Sequence, residues 1–402
     1  MLIRSFEVRN YKGFRDSQLV ELAPLTLFYG ENSSGKSALL RLLPWLSESM
    51  ADERAGPVLD GTVGREALYS DLAHVSTPHH PIEVMLTWDN GQQARWVFRG
   101  GALPGSCELK SIKLDKSGKT WALADDGDGT WQGEIPEVKG LLPYCDQSLW
   151  SEKIGAVDRD FQVNVQWLQG VRAAIPRVEK VLASSPSRLP ASGEGVARLL
   201  FQWERAARSE NESKALNFVL DFYKELGFDL TATDVAPSFF RLDVAPIGNA
   251  SVSINLIDTG EGLTQVLAPL VALARAAFNL GPRLVCLEQP ELHLHTDAQR
   301  ALAISIASAT VAGAQVVIET HSEVLLAAIQ LAVAVKTAGL IPQAVALYWV
   351  ERRGDPISIA RRVQLDERGR VGSAWPIDAF NDLLQLKNEL LKAQRSGGTV
   401  DH

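Results

Sequence analysis

Cysteine is scarce in this chain of 402 residues: Cys107, Cys145 and Cys286 stand far apart, and no CxxC pair occurs. That excludes a disulfide framework and a cysteine-built zinc site, and a reducing compartment fits best. Long apolar runs are missing as well. The best candidates, around 264–279 and 325–335, are interrupted by Arg275 and Gln330, short of the roughly 18 consecutive apolar residues that suggest a membrane span. The opening MLIRSFEVRNYKGF has no apolar signal core, so a soluble, cytoplasmic protein without a membrane partner is expected. Positive charge is not in excess either. Forty Lys and Arg face 48 Asp and Glu, a formal charge of -8, so only a local basic patch could hold nucleic acid.

What is present is 46% apolar residues, enough for one large α/β domain with insertions or for two modest domains. LIRSFEV and SQLVEL alternate as strands do, and LTLFYG is a short buried-type strand that runs through a glycine turn into the helical pattern ALLRLLPWL. From 80 to 132, IEVMLTW, ARWVFR, SIKL and TWALA are separated by DNG, KSGK and DDGDG, which predicts an antiparallel meander. The acidic turn around Asp126 and Asp128 lacks the later bidentate Glu of a calcium loop and reads as a hairpin turn. A Ser/Pro-rich stretch, ASSPSRLPASGEG, leads into amphipathic helix around Leu216, Val219, Leu220, Tyr223 and Leu226. RLVCLE and QVVIET then restore the pattern of a parallel sheet. The expected division is an N-terminal lobe with the meander over 1–150 and a mainly helical insertion over 151–250. A second lobe over 251–337 and a C-terminal module over 338–402 complete it.

Four motifs carry chemistry. GENSSGKS satisfies the phosphate-loop pattern in its required setting, after a strand and before a helix. Gly30 and Gly35 allow the tight backbone, Asn32, Ser33 and Ser34 complete a cradle of amides, Lys36 reaches the β and γ oxygens, and Ser37 is a magnesium ligand. In DTGEGLTQ, Gly260, Gly262 and Thr264 precede a helical run and can offer amides, a hydroxyl and a helix dipole to an anion. Glu288 ends an apolar strand, positioned to bind magnesium directly or through water. His321 ends the next strand and suits a γ-phosphate sensor.

Taken in that order, GENSSGKS, GEGLTQ, EQPELHLH and ETHSE resemble the bacterial ATPases related to RecF, to SMC heads and to the overcoming-lysogenization-defect proteins. VRNYKGF resembles the strand-turn that begins those heads, and ALYSDLAH the segment after their first helix. LDERGRVGSAWPIDAF resembles the Trp-Pro…Phe tail of a compact subgroup of them. The resemblance implies an α/β ABC-type head that uses ATP and Mg2+. It also implies a homodimer, or a higher even-numbered assembly, in which residues 260–265 of one subunit close on the phosphate-loop nucleotide of the other. Relatives serve in DNA repair and in anti-phage defence, often beside a nuclease or another effector.

Two positions depart from that pattern. Gln289 stands where such heads usually carry the glutamate that polarises the attacking water, and an amide orients water without accepting its proton. Either a nearby acid, Glu291 or Glu319, takes the role, or hydrolysis is slow. No Gln occurs between 51 and 80, where a Q-loop would be sought. His293 and His295 lack a third metal ligand and match a dimer-contact segment. Arginines 172, 177, 188 and 198, and those at 352, 353, 361, 362, 368 and 370, are candidates for nucleic acid or a partner. No acidic DxD cluster follows His321, so nuclease chemistry is expected in a separate effector. The leading expectation is an ATPase that dimerises around ATP and regulates a nuclease or toxin in phage defence. The alternatives are a RecF-like DNA-binding ATPase in repair and a non-hydrolysing nucleotide-gated scaffold.

Overall fold

A computed structural model describes residues 1–125, 131–133, 137–144, 160–182, 188–205, 209–354, 356–372 and 375–376. The turn at Asp126 and Asp128, Cys145, and the tail from residue 377 lie outside the described residues.

A six-stranded sheet forms the centre, in the order Val165–Leu168, Leu284–Glu288, Gln315–Glu319, Leu25–Gly30, Val345–Arg353 and Ile357–Val363. Its first five strands are parallel and the last is antiparallel. Parallel strands covered on both faces read as continuous apolar runs, as LVCLE and QVVIE do. Strand alternation then sorts their side chains between two cores. Leu25, Leu27, Val285, Leu287, Val316 and Ile318 enter one, while Phe28, Leu284, Cys286 and Val317 enter the other.

The second core is closed by the helix Lys36–Ala51, which buries Leu39, Leu40, Leu43 and Leu46, and by a seven-stranded antiparallel sheet. That sheet joins Ile3–Arg9 and Gln18–Glu21 to a meander over Ile82–Trp88, Gln93–Gly100, Cys107–Lys116, Lys119–Asp125 and Trp131–Gly133. In Ile82–Trp88 burial alternates at every residue, the mark of a strand with one face on the core. The buried Trp45 donates its indole N–H to the Val58 carbonyl at 2.8 Å. Full burial of a ring this size stabilises by about 2–3 kcal/mol only because its polar atom is satisfied.

The first core is covered by Val196–Arg205, Glu210–Glu225, Leu267–Ala277, Thr296–Val311 and Glu323–Ala334. Ser209 and Glu212 form a capping box at the start of Glu210–Glu225, and Ser322 caps Glu323–Ala334 through the Leu325 amide. The 151–250 segment is helical only in part. Its Phe228–Ala236 and Phe239–Pro246 form an antiparallel hairpin, and Val165–Leu168 is an edge strand of the central sheet. Nor is 338–402 a separate module where it is described. Val345–Arg353 lies beside Leu25–Gly30, and Trp375 packs on Tyr29 and Trp349 with ring centroids 5.3 Å apart in each pair. β-Branched and aromatic residues in VALYWV found unpaired backbone on the phosphate-loop strand, and adding to that edge buries both faces.

Candidate active site

The phosphate loop joins the strand Leu25–Gly30 to the helix Lys36–Ala51. Gly30 has φ +148°, and a Cβ there would stand 2.1 Å from the Val350 carbonyl oxygen, so the neighbouring strand admits only hydrogen. Gly35 caps the helix at φ +107°, a left-handed geometry that costs glycine little. The helix therefore starts at the loop with its free amides and positive dipole end turned toward it. Lys36 is buried and its ammonium bonds to the carbonyls of Gly30, at 3.0 Å, and Glu31. Burial lowers its pKa, with Glu319 and Glu31 acting in the opposite direction. A lysine held in this way is prepaid in desolvation and can exchange carbonyl partners for phosphate oxygens.

A cavity of about 710 Å³ opens over the loop. Asn32, Ser33, Ser34, Gly35, Lys36 and Ser37 form its floor, and Gln289, Glu319 and His321 stand in its wall. The rest of the wall holds residues that motif reading passed over: Lys12, Asp71, Arg352, Pro356 and Ser358. Lys12 lies in a turn held by its amide to the Leu72 carbonyl at 2.6 Å, and Ser358 N–H bonds to Gly13 O at 2.7 Å. VRNYKGF and ALYSDLAH, quoted for their resemblance, are the segments that bring Lys12 and Asp71 here. Arg352 enters the sequence reading only among the arginines considered for nucleic acid or a partner, and Pro356 and Ser358 have no comparable signal.

Glu288 is placed differently from expectation. It does not line the cavity. Its Oε1 accepts from Arg41 Nε at 2.6 Å and from Trp167 Nε1 at 2.9 Å, and its Oε2 from Arg41 Nη2 at 2.6 Å. The acid that meets the phosphate loop is Glu319, whose Oε1 accepts from Ser37 Oγ at 2.7 Å. Glu319 is buried, its Oε2 has no hydrogen-bond partner, and burial followed by the nearby Glu288 charge raises its pKa against the bond from Ser37.

Glu291 is buried below the wall. Its Oε1 takes hydrogen bonds from Thr320 Oγ1 at 2.6 Å and from the His321 amide at 3.3 Å, so it supports the turn that carries the histidine. Burial lowers the His321 pKa, and Lys36 lowers it further, while a hydrogen bond with the Gly30 carbonyl opposes them. Its imidazole is thus neutral at pH 7 and can present an N–H to an incoming oxygen. Gln289 has φ 41°, a left-handed kink held by its amide bond to Glu319 O at 2.8 Å. The kink ends the strand, and Gln289 itself stands in the cavity wall.

Gly260, Gly262 and Thr264 are not in this wall. Gly260 is exposed, with open space where a Cβ would be. Gly262 is buried, and a Cβ on it would meet the His293 carbonyl oxygen at 2.5 Å. Thr264 Oγ1 donates to Glu261 O at 2.7 Å. His293 lies 3.6 Å from Glu261, and among the described residues no group of three His, Cys, Asp or Glu is placed to hold a metal.

Several arginines offered as nucleic-acid ligands have side chains engaged within the chain. Arg172 is buried, its pKa lowered to about 10 by that burial, and it bonds to the carbonyls of Gln265 at 3.0 Å, Gln289 at 3.3 Å and Pro290 at 3.4 Å. It staples the turn after Thr264 to the loop after Glu288. Arg177 pairs with Asp258, Arg188 bonds to Ser47 at 3.2 Å, and Arg198 pairs with Glu179 at 2.7 Å. Arg353 and Arg361 share Glu351, and Arg362 pairs with Glu21.

By its fold and by this loop the chain is a P-loop NTPase. Residues 1–73 match a family model described as "AAA ATPase domain", and residues 210–327 match one described as "AAA domain, putative AbiEii toxin, Type IV TA system". No curated protein matches the chain. Among solved structures it is similar to an SMC head bound to the C-winged helix domain of ScpA, at 12% identity and a TM-score of 0.51, over 91% of this chain and 99% of that one. The SMC head domain from Thermotoga maritima aligns at 12% identity and a TM-score of 0.46, over 91% and 100% of the two chains. An SMC head derived from Pyrococcus furiosus, with an extended coiled coil and bound to the C-terminal domain of ScpA, gives 12%, 0.46, 98% and 99%. Two AAA models thus match parts of the chain, and its fold is that of an SMC head. Among the described residues no helix is long and apolar enough to cross a membrane.

Proposed function

We propose that the chain binds ATP with Mg2+ on the loop Gly30–Ser37, hydrolyses it slowly, and dimerises around it to control a separate effector. The observation that carries this reading is convergence. Lys36, Ser37, Gln289, Glu319 and His321 arrive from three different strand ends at one cavity over a helix N-terminus. The donors present fit the cofactor, because Ser37 Oγ and the Glu319 carboxylate are hard oxygen ligands and one carboxylate oxygen is buried without a partner. Bound magnesium would offset phosphate charge. Lys36 would hold the β and γ oxygens, the neutral His321 would donate to the γ-phosphate, and the Gln289 amide would orient water without taking its proton.

Dimerisation is supported by what one chain leaves incomplete. Gly260 and Thr264 stand outside the cavity of their own subunit, with Gly260 open to solvent. Nucleotide drives closure only as far as it binds the closed state more tightly, so this pair supplies the differential contact when it meets the partner's γ-phosphate. The effector reading, a nuclease or toxin in phage defence, draws support from the toxin-system description of the family matched over 210–327. DNA binding in the manner of a repair ATPase draws less, because Arg172, Arg177, Arg188 and Arg198 are engaged within the chain. Phosphate release and sedimentation with ATP, for wild type and Lys36→Ala, test the core of this reading. Phage plating on cells expressing either version tests the biological part. Lys36-independent phosphate release, or equal plating, would reject the corresponding part.

A further inference from the structure

Two acids stand side by side in this site, and the helix Lys36–Ala51 treats them differently. Glu288 and Glu319 are direct register partners on adjacent parallel strands. Both follow the strand parity of Cys286 and Val317, which enter the core beneath that helix, so both carboxylates face it. Ser37 and Arg41 lie four residues apart on one helix face, just over one turn or ~6 Å of rise, comparable to the ~4.8 Å between neighbouring strands. The helix therefore meets the two acids with two different side chains, Ser37 on Glu319 and Arg41 on Glu288.

The consequence is a division of labour. Glu288 has its oxygens occupied by Arg41 and the Trp167 indole, at 2.6 to 2.9 Å, and lies outside the cavity wall. To coordinate a cation it would have to break a buried bidentate ion pair, which is strongly destabilising when one partner is left unpaired. Glu319 has a buried oxygen with no partner, lies in the wall, and is already joined to the serine that the phosphate loop supplies for magnesium. Strand order explains the choice. Gln315–Glu319 is the immediate neighbour of the phosphate-loop strand, and Leu284–Glu288 is one strand further away.

We infer that Glu319 is the magnesium-associated acid of this ATPase, and that Glu288 is committed to Arg41 and the Trp167 indole as a structural ion pair. The inference rests on the ATP reading above. It gives a reason for a glutamate at position 319: the carboxylate that the acid strand has committed to Arg41 is supplied by the strand beside it.

The test is binding, not turnover. Affinity for a fluorescent non-hydrolysable ATP analogue is measured by anisotropy, in magnesium and in excess EDTA, for wild type, Lys36→Ala, Glu319→Gln, Glu319→Asp and Glu288→Gln. Loss of a group that orients a bound metal lowers affinity by about 10- to 100-fold. Wild type should bind the analogue more tightly in magnesium than in EDTA, with Glu319→Gln erasing most of that enhancement and leaving the EDTA affinity in place. Glu319→Asp should keep part of it. Glu288→Gln should keep the enhancement and lower the melting temperature. If Glu288→Gln loses the enhancement, alone or together with Glu319→Gln, or if neither does, the assignment is overturned while the ATP reading stands. Absence of Lys36-dependent binding in the wild type overturns both.

Discussion

The chain contains two glycine-bearing turns that each open a helix, GENSSGKS and DTGEGLTQ, and the fold uses them in opposite ways. The first precedes a helix of 16 residues, keeps its left-handed Gly35 at the cap, and has a cavity above it. The second precedes only the five residues Glu261–Gln265, and its Gly262 is spent on a close approach to the His293 carbonyl. In both turns a glycine lies against the protein's own backbone, Gly30 on Val350 and Gly262 on His293, but only the first turn has an open cavity above it. The second turn is thereby a joint, with Gly260 left facing outward and Arg172 tying its end to Gln289 and Pro290. Similar letters thus separate into a turn beneath an open cavity and a turn packed onto its own chain.

Removing Arg172 should break that contrast most severely. Arg172→Ala leaves the carbonyls of Gln169, Gln265, Gln289 and Pro290 without this donor and Glu291 without a nearby cation, and should cost about 3 kcal/mol, read as a fall in melting temperature. Lys36→Ala should leave the fold intact and weaken ATP by about 1.5–3 kcal/mol, at least about tenfold in titration. Gly262→Ala forces a methyl against backbone and should destabilise by about 1–3 kcal/mol. Nucleotide affinity of the single subunit should survive that change while ATP-dependent dimers are lost, and unaltered dimers would end the view of this turn as a joint.

Smaller effects sharpen the first turn. Gln289→Glu places a proton acceptor in the wall and should raise phosphate release by about tenfold or more, equivalent to ~1.4 kcal/mol of barrier. An unchanged rate would put the attacking water elsewhere. His321 has a folded pKa below its ordinary value, so the unfolded chain takes up the proton first as pH falls. Stability is therefore lost below roughly pH 6.5, and above it no penalty arises. Melting curves without nucleotide from pH 7.5 to 5.5 should show wild type losing about 1–2 °C more than His321→Gln.

The phosphate loop was legible at once because its chemistry is local: eight consecutive residues must build the turn, and flanking apolar runs reveal the strand and helix. The meander was legible for a similar reason, since IEVMLTW alternates and its turns carry glycine. The helical reading of 151–250 fails at Phe228–Pro246, because the two halves of DLTATDVAPSFFRLDV pair with each other and Phe239–Pro246 also takes Glu179–Lys180 and Ile254–Asn255, partners that no local pattern announces. The tail from 338 read as separate because no local pattern shows that VALYWV completes a sheet begun over 300 residues earlier. Lys12 and Ser358 share one cavity only through the packing of the turn at Gly13 on a distant strand.

From its sequence alone this protein was determined to be an α/β nucleotide-binding head, with Lys36 and Ser37 on its phosphate loop, acids and a histidine at strand ends, and a glutamine at 289. Parity along LVCLE and QVVIE puts each acid on the same face as the residue two positions before it. Only the tertiary structure decided which acid serves which helix residue, which arginines are occupied, and which glycine is buried. The physical reason is that side-chain direction follows from the chain's own two-residue period, whereas a partner across the sheet depends on strand order. Here that order sets Gln315–Glu319 between the phosphate-loop strand and the acid that the motif pointed to.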